Sequence, residues 1–314
     1  MIKQIIFLLS LLLVFVGSVH AQQDPLLTHF IFNKMSFNPG STGIDDGFSA
    51  TAIYRNQWGG IPGAPNTSIL NLEGNINRFF PGGVGINFYH DAIGYSRQNN
   101  VLLNYSYPLE IGSHILGIGI GIGMESFGMK PSWITPDQSS VGLADKSLPI
   151  GFNSAGLDLN FGLYFKSSNG FYVGLSSTHL NAASIKQGAA EGSYNVSRHG
   201  YLMGGYKTKP IGPGYIDAQI LLRSDLKNQQ SFDFNARYML NIYNAYGGIT
   251  YRTSDCIAVM LGMNPYTNLT IGYSYDLTLS KLSGASRGSH EVLIKYCYFL
   301  PVPPLSVTRN PRWL

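Results

Sequence analysis

The sequence predicts an all-β protein, a transmembrane antiparallel β-barrel of about 14 strands with long outer loops and a periplasmic C-terminal tail. Three observations predict it. Apolar and polar residues alternate with period two in many segments of around ten residues, the length a tilted strand needs to cross a bilayer core. Charged residues are 12% of the 314 residues, about half the ordinary share, while Gly reaches 37 and Tyr 20. Past the N-terminus no apolar stretch is long enough for a helical membrane span.

The N-terminus reads as an export signal over 1–21. Lys3 supplies a basic start, Ile5 to Val16 an apolar core broken by Ser10, and Val19-His20-Ala21 a small-residue cleavage site. Cleavage after Ala21 leaves 22–314 as a single barrel domain. No Cys follows the site, so lipid attachment is not suggested. The composition also excludes other classes. A formal net charge of +4 without clustered Lys and Arg argues against nucleic acid as a partner. Hydrophobic residues at 44% argue against a disordered chain.

The strands follow in order near 48–58, 66–75, 82–90, 98–107, 113–125, 153–166, 169–179, 197–207, 214–224, 230–240, 243–252, 255–264, 267–276 and 289–299. In the sixth, Leu157, Leu159, Phe161, Leu163 and Phe165 make an apolar face, and Asp158 and Asn160 alternate with them. In the fifth, Leu116 to Gly123 sets Leu or Ile against Gly, which leaves room inside a barrel. Tyr105, Tyr107, Tyr273, Tyr275, Tyr296 and Tyr298 suit an interfacial girdle. The longest gaps, 126–152, 180–196 and 277–288, follow odd-numbered strands and so share one end of the barrel. A propeller would show a repeat of about 40–50 residues, and a sandwich of this length would divide into linked domains. Neither sign is present.

Chemistry-bearing residues are scattered. The histidines, His20, His29, His90, His114, His179, His199 and His290, lack zinc-site spacing and read as turn or girdle residues. His90 and Asp91 point to opposite strand faces. Asp45-Asp46 stand apart from other carboxylates, and no nucleophile elbow occurs. Nothing predicts an enzyme, a cofactor or a metal. Cys256 and Cys297 open the twelfth and close the fourteenth strand, too far apart to bridge, and are expected as free thiols.

Three segments stand out. The stretch before the first strand, from Gln23-Asp24-Pro25 through Phe30, Phe32-Asn33 and Asn38-Pro39-Gly40, carries too many aromatics for a plain linker. Tyr54-Arg55-Asn56-Gln57-Trp58, followed by Gly63-Ala64-Pro65-Asn66-Thr67, turns between strands one and two. Arg55, Asn56, Gln57, Trp58 and Pro65 form either a structural hydrogen-bond cluster or a partner-binding surface, since Arg and Trp are enriched in hot spots. The tail 301–314 is Pro-rich and ends in Arg309, Arg312, Trp313 and Leu314. It is either a disordered terminus, a plug from below, or a dock for a periplasmic partner.

These landmarks resemble the PorP/SprF family of outer-membrane proteins of the type IX secretion and gliding systems. Gln23-Asp24-Pro25, Phe32-Asn33 and Phe37-Asn38-Pro39 resemble the family's opening. Tyr54 to Trp58 with Gly63-Ala64-Pro65 and Thr67 resembles its Y-R-N-Q-W and G-x-P-x-T block, the most specific match. Ser289-His290-Glu291-Val292 resembles its final strand. Gly40-Ser41-Thr42-Gly43 departs from the family's A-Y-A-G, which loses an aromatic and is expected to loosen local packing. The resemblance implies a non-enzymatic component of a protein export machine in the cell outer membrane, supporting secretion or surface anchoring of large proteins. The implied partners are a secreted surface protein or adhesin with a type IX C-terminal signal, and periplasmic peptidoglycan-associated machine subunits. The alternative is a channel for small hydrophobic molecules, like the 14-stranded fatty-acid transporters, with Asp158, Asn160, Asp233, Asn235 and Arg237 lining the pore.

Overall fold

The computed structural model describes residues 25–130, 151–186, 193–226 and 230–299. The first half of the wall is β1 (Phe48–Asn56), β2 (Asn66–Asn75), β3 (Gly83–Ile93), β4 (Ser96–Ile111), β5 (His114–Met129), β6 (Phe152–Lys166) and β7 (Phe171–Thr178). A small hairpin, β8 (Ser184–Lys186) and β9 (Ser193–Asn195), follows. The wall resumes with β10 (His199–Lys207), β11 (Gly214–Ser224), β12 (Gln230–Leu240) and β13 (Ala245–Arg252). It ends with β14 (Cys256–Tyr266), β15 (Leu269–Thr278) and β16 (Ser289–Tyr298).

Fourteen strands pair antiparallel with their neighbours, and β1 closes on β16, so the sheet has no edge. Closure satisfies the backbone groups of every wall strand without water, which a bilayer demands. The even number returns the chain to its starting end, with Phe48 opposite Tyr298. Turns at that end are short, such as 112–113 and 267–268, while 130–151 and 179–198 lie at the other. Short turns mark the periplasmic end of bacterial barrels and long loops the outer end.

The period-two pattern sorts the side chains. Leu70, Leu72, Ile86, Phe88, Val101, Leu103, Ile118, Ile120 and Ile122 face outward and exposed, forming the lipid surface. Their strand neighbours Asn71, Asn87, Asn100 and Asn104 face inward and are buried. Tyr107, Tyr273, Tyr296 and Tyr298 face outward, as a girdle requires. Tyr89, Tyr164, Tyr172, Tyr201 and Tyr246 instead turn inward and help fill the lumen.

Most strand boundaries differ from the sequence reading by a few residues, and some for a clear reason. β4 and β5 run longer than 98–107 and 113–125, because polar Ser96, Arg97 and Ser126 sit where strands leave the lipid and need no apolar outer face. β1 stops at Asn56, short of 58, because Trp58 takes a left-handed backbone (φ 51°) that ends the pleat. The β8–β9 hairpin lies within the expected loop 180–196. The leader 1–21, most of the loop 126–152, and the tail 301–314 with Arg309, Arg312, Trp313 and Leu314 lie outside the described residues.

The core is the lumen itself. The segment before β1 folds into two 3-10 turns, Phe30–Phe32 and Pro39–Ser41, flanking the single helical turn α1 (Lys34–Phe37). Its Leu27, Phe30, Ile31, Phe37 and Ile44 pack against wall residues Ile53, Ile69, Tyr201, Leu221 and Leu293.

Candidate functional site

The lumen is filled by residues 25–44, and three sets of contacts hold them. The first is at the outer half. Irregular backbone inside a barrel leaves N–H groups that need acceptors, and Glu291 on β16 supplies them. It accepts from the backbone N–H of Thr28 at 2.9 Å and of His29 at 2.7 Å, and its Oε1 lies 2.9 Å from His29 Nδ1. Thr28 Oγ1 donates to Asp276 on β15 at 2.8 Å. The carbonyls of Pro25 and Leu27 accept from Arg223 and Arg252 at 3.1 and 2.8 Å.

The second set lies midway. Lys34 sits over the Tyr172 ring at 3.9 Å and donates to the Tyr164 hydroxyl at 3.2 Å. Asn33 and Ser36 join Asn71 and Asn87 in one amide and hydroxyl network. The third set is a close fit of backbone on backbone. The Asn38-Pro39-Gly40 turn presses onto the Gly faces of β5 and β6. A Cβ on Gly117 or Gly119 would collide with the backbone at Pro39 and Gly40, and one on Gly162 with Asn38 Oδ1. Gly117 and Gly119 of the alternating run, with Gly162 on β6, therefore make room for this turn, while Gly121 and Gly123 abut wall residues. Asn38 caps it by accepting from Gly40 N at 2.8 Å and donating to the Leu163 carbonyl at 2.9 Å. Gly40, Ser41, Thr42 and Gly43, where the chain departs from the family pattern, are all buried.

Charge inside the lumen is concentrated at the outer half. Arg55, Arg223 and Arg252 are each at most 1% exposed. Arg55 donates to Asp276 at 2.7 Å and to Glu291 at 3.0 Å. Arg252 pairs with Asp233 at 3.1 Å and Asp255 at 3.2 Å, and Arg223 pairs with the same Asp233. Guanidinium forks suit such a knot because each offers several donors in fixed geometry.

The predicted site residues fall into distinct places. Arg55 is interior and belongs to the knot. Gln57 and Pro65 are buried and meet through Gln57 N–H to the Pro65 carbonyl at 2.9 Å. Asn56 is half-buried and donates to Asn66 Oδ1 at 2.7 Å. Trp58 is half-buried at the outer rim, its N–H donating to Ser289 Oγ at 3.1 Å. Arg55, Trp58, Ser289 and Glu291 are thus brought together along the β1–β16 seam. Asp158, Asn160, Asp233 and Asn235 do face inward and are buried. Arg237, half-buried, pairs with Asp217 at 2.8 Å and stacks on Phe32 of the plug at 4.5 Å. They line a lumen that is occupied.

The histidines need correction. His90, half-buried beside inward-facing Asp91, and exposed His290 fit a girdle, and His114 meets the turn at Ser167 and Ser168. His29, His179 and His199 are instead buried inside the barrel. The sequence signal that would find His29 is its position in an aromatic-rich segment with no strand period. No local signal marks His179. Cys256 is buried, Cys297 half-buried, and both are free thiols.

Comparison with solved structures returns the same architecture at low identity. The CymD monoaromatic hydrocarbon channel matches with a TM-score of 0.50 and 12% identity, over 85% of this chain and 93% of that one. The Ralstonia pickettii toluene transporter TbuX matches with a TM-score of 0.49 and 12% identity, over 85% and 93%. At these identities the likeness is one of fold. No curated protein matches the sequence. A family model described as type IX secretion system membrane protein PorP/SprF matches residues 19–296, which span the filled lumen, the Arg55 block and most of the closing strand. The chain belongs to the PorP/SprF family, non-enzymatic components of type IX secretion in the outer membrane.

Proposed function

We propose that this protein is a plugged barrel that anchors part of the type IX machinery or its exported surface protein through contacts at its two rims. The observation that carries this reading is the seating of residues 25–44 across the lumen, tied to Glu291, Asp276, Arg223 and Arg252. A passage for small hydrophobic molecules would need this segment to leave first. The wall then works as a rigid membrane support. Residues 22–314 act as one domain, freed of the leader 1–21. The outer rim around Trp58 and the loops after β5 and β7 face an exported adhesin with a type IX C-terminal signal. The tail 301–314, with Arg309, Arg312, Trp313 and Leu314, faces periplasmic peptidoglycan-associated subunits.

The test is a pull-down of the tagged protein from gently solubilised outer membranes, with identification of what accompanies it. Recovery of a surface protein bearing a type IX C-terminal signal, or of a peptidoglycan-associated machine subunit, is expected. Removal of 301–314 should abolish the periplasmic arm alone. A solitary barrel in every detergent tried would overturn the anchoring reading.

A further inference from the structure

We propose that the outer half of the lumen holds a divalent transition-metal ion, of the zinc or manganese kind, bound by Glu125, Asp158 and His179. The site is separate from the arginine knot. Glu125 lies on β5, Asp158 on β6, and His179 directly follows β7, so two neighbouring strands and the turn after a third each give one ligand. Asp158 pairs in register with Gly123, which places it diagonal to Glu125 on the inner face. His179 adopts a left-handed backbone (φ 55°), and its N–H donates to Asn160 Oδ1 at 2.9 Å. That turn brings its ring back over the lumen as the chain leaves the wall.

The distances suit coordination. His179 Nδ1 lies 2.9 Å from Asp158 Oδ1 and 3.1 Å from Glu125 Oε2. Two ligands on an ion with bonds of ~2.1 Å stand ~3.0 Å apart at a right angle and ~3.4 Å apart at the tetrahedral angle. All three ligand atoms lie within 4.8 Å of one another, and all three residues are buried. One imidazole and two carboxylates form a mixed nitrogen and oxygen set. That set favours a borderline ion over calcium, which prefers oxygen throughout.

Charge makes the same point. Among the described residues, no Lys or Arg pairs with Glu125 or Asp158, and their ion-pair partner is His179. The arginine knot, by contrast, sets three guanidinium groups against Asp233, Asp255, Asp276 and Glu291. Two carboxyl groups against one imidazole leave an excess of acidic over basic groups, which is costly in a low-dielectric interior. A divalent ion removes the excess.

A second observation points to a ligand independently. Glu125 and His179 line a cavity of about 50 Å³, large enough for a bound group. Asn100 and Thr178 line it too, 4% and 3% exposed, and Asn100 Oδ1 and Thr178 Oγ1 lack any hydrogen-bond partner. Asn100 Nδ2 sits 2.6 Å from Asp158 Oδ2. That bond holds the Asp158 carboxylate from outside and leaves Asn100 Oδ1 unpaired at the cavity. Gln98 donates to the far oxygen of Glu125 at 2.6 Å, the kind of outer contact that orients a ligating carboxylate.

The test uses the full mature barrel, purified without a polyhistidine tag, stripped with chelator and titrated with Zn²⁺, Mn²⁺ and Ca²⁺ by calorimetry. One Zn²⁺ or Mn²⁺ per chain is expected, with a rise in the thermal midpoint. Asp158→Asn and His179→Asn should bind at least tenfold more weakly, and His290→Asn, at the outer girdle, should bind as wild type. Only variants that keep the faster migration of a folded barrel in cold detergent are compared. Zinc X-ray absorption on the wild type needs no variant and should show one imidazole with oxygen ligands. Substoichiometric binding, preference for Ca²⁺, a sulfur ligand, or wild-type affinity in folded Asp158→Asn would overturn the site.

Discussion

Arg55 and Glu291 stand opposite each other across the seam that closes the barrel, and their side chains meet inside it at 3.0 Å. Glu291 also takes the two backbone N–H groups at the top of the plug. One carboxylate thus joins seam and plug. Removing a partner from a buried ion pair leaves the other charge uncompensated, at a cost of roughly 3–5 kcal/mol. Glu291→Ala should lower the unfolding free energy from urea titration by about that amount, with a lower midpoint, and unseat the plug. Glu291→Gln, which keeps one acceptor, should lose less. Equal midpoints for wild type and Glu291→Ala, followed by tryptophan fluorescence, would contradict the role given to this residue.

The plug predicts electrical silence. The wild-type barrel in a planar bilayer should show no sustained conductance. Deleting 25–44 removes Leu27, Phe30, Ile31 and Phe37 from the lumen centre and exposes a polar wall of Asn71, Asn87, Asn104 and Asn160. That variant should conduct steadily. Open-channel current in the wild type, or silence in the folded deletion variant, would refute the occupied lumen.

The glycine face of β5 makes a finer prediction. Gly119 abuts Pro39 and Gly40, with no room for a side chain. Gly119→Val suits strand geometry and adds only apolar volume, yet must displace the turn. The barrel should still insert, since the lipid face is untouched, but intermittent conductance should appear and protease should reach 25–44. Gly112→Val serves as the contrast for space, because a Cβ there meets nothing within 4 Å, although its positive φ adds local strain in an exposed turn. Protection of 25–44 unchanged by Gly119→Val would show that the turn is held elsewhere.

Much of this architecture was legible because lipid imposes a strict rule. Every wall strand must alternate, so Leu157 to Phe165 and Leu116 to Gly123 announce themselves. The parity of long loops followed from the strand count. Residues 25–44 obey no such rule. Their partners Asp276 and Glu291 lie more than 240 residues away in sequence, and no local pattern encodes that meeting. His179 is hidden for the same reason, since its partners lie on β5 and β6. Arg55 was legible as a structural candidate, but the sequence did not reveal that its partners sit on β15 and β16.

The thiols give a direct chemical check. Cys256 lies in the arginine knot, 2% exposed, 3.7 Å from Arg252 Nη1. Cys297 is half-buried near the periplasmic end of β16. Lying on strands separated by β15, they are not expected to bridge. A small thiol reagent should label one site per folded chain, at Cys297, and two after urea unfolding. Failure to label either cysteine until reductant is added would reveal a disulfide and contradict the register of β14 to β16.

Trp58 separates fold from partner binding. Its left-handed backbone carries a cost of about 1–2 kcal/mol for a residue with a Cβ. Glycine has no such cost, so Trp58→Gly recovers that strain while losing the burial of a half-exposed ring. These changes largely offset, and the unfolding free energy should shift by no more than about 1 kcal/mol. Partner recovery has no such compensation. If the outer rim binds an exported protein, Trp58→Gly should reduce its recovery several-fold while the periplasmic subunit still accompanies the barrel. Unchanged recovery of both, with native stability, would make Trp58 a rim residue of structural value only and move the outer contact to the loops after β5 and β7.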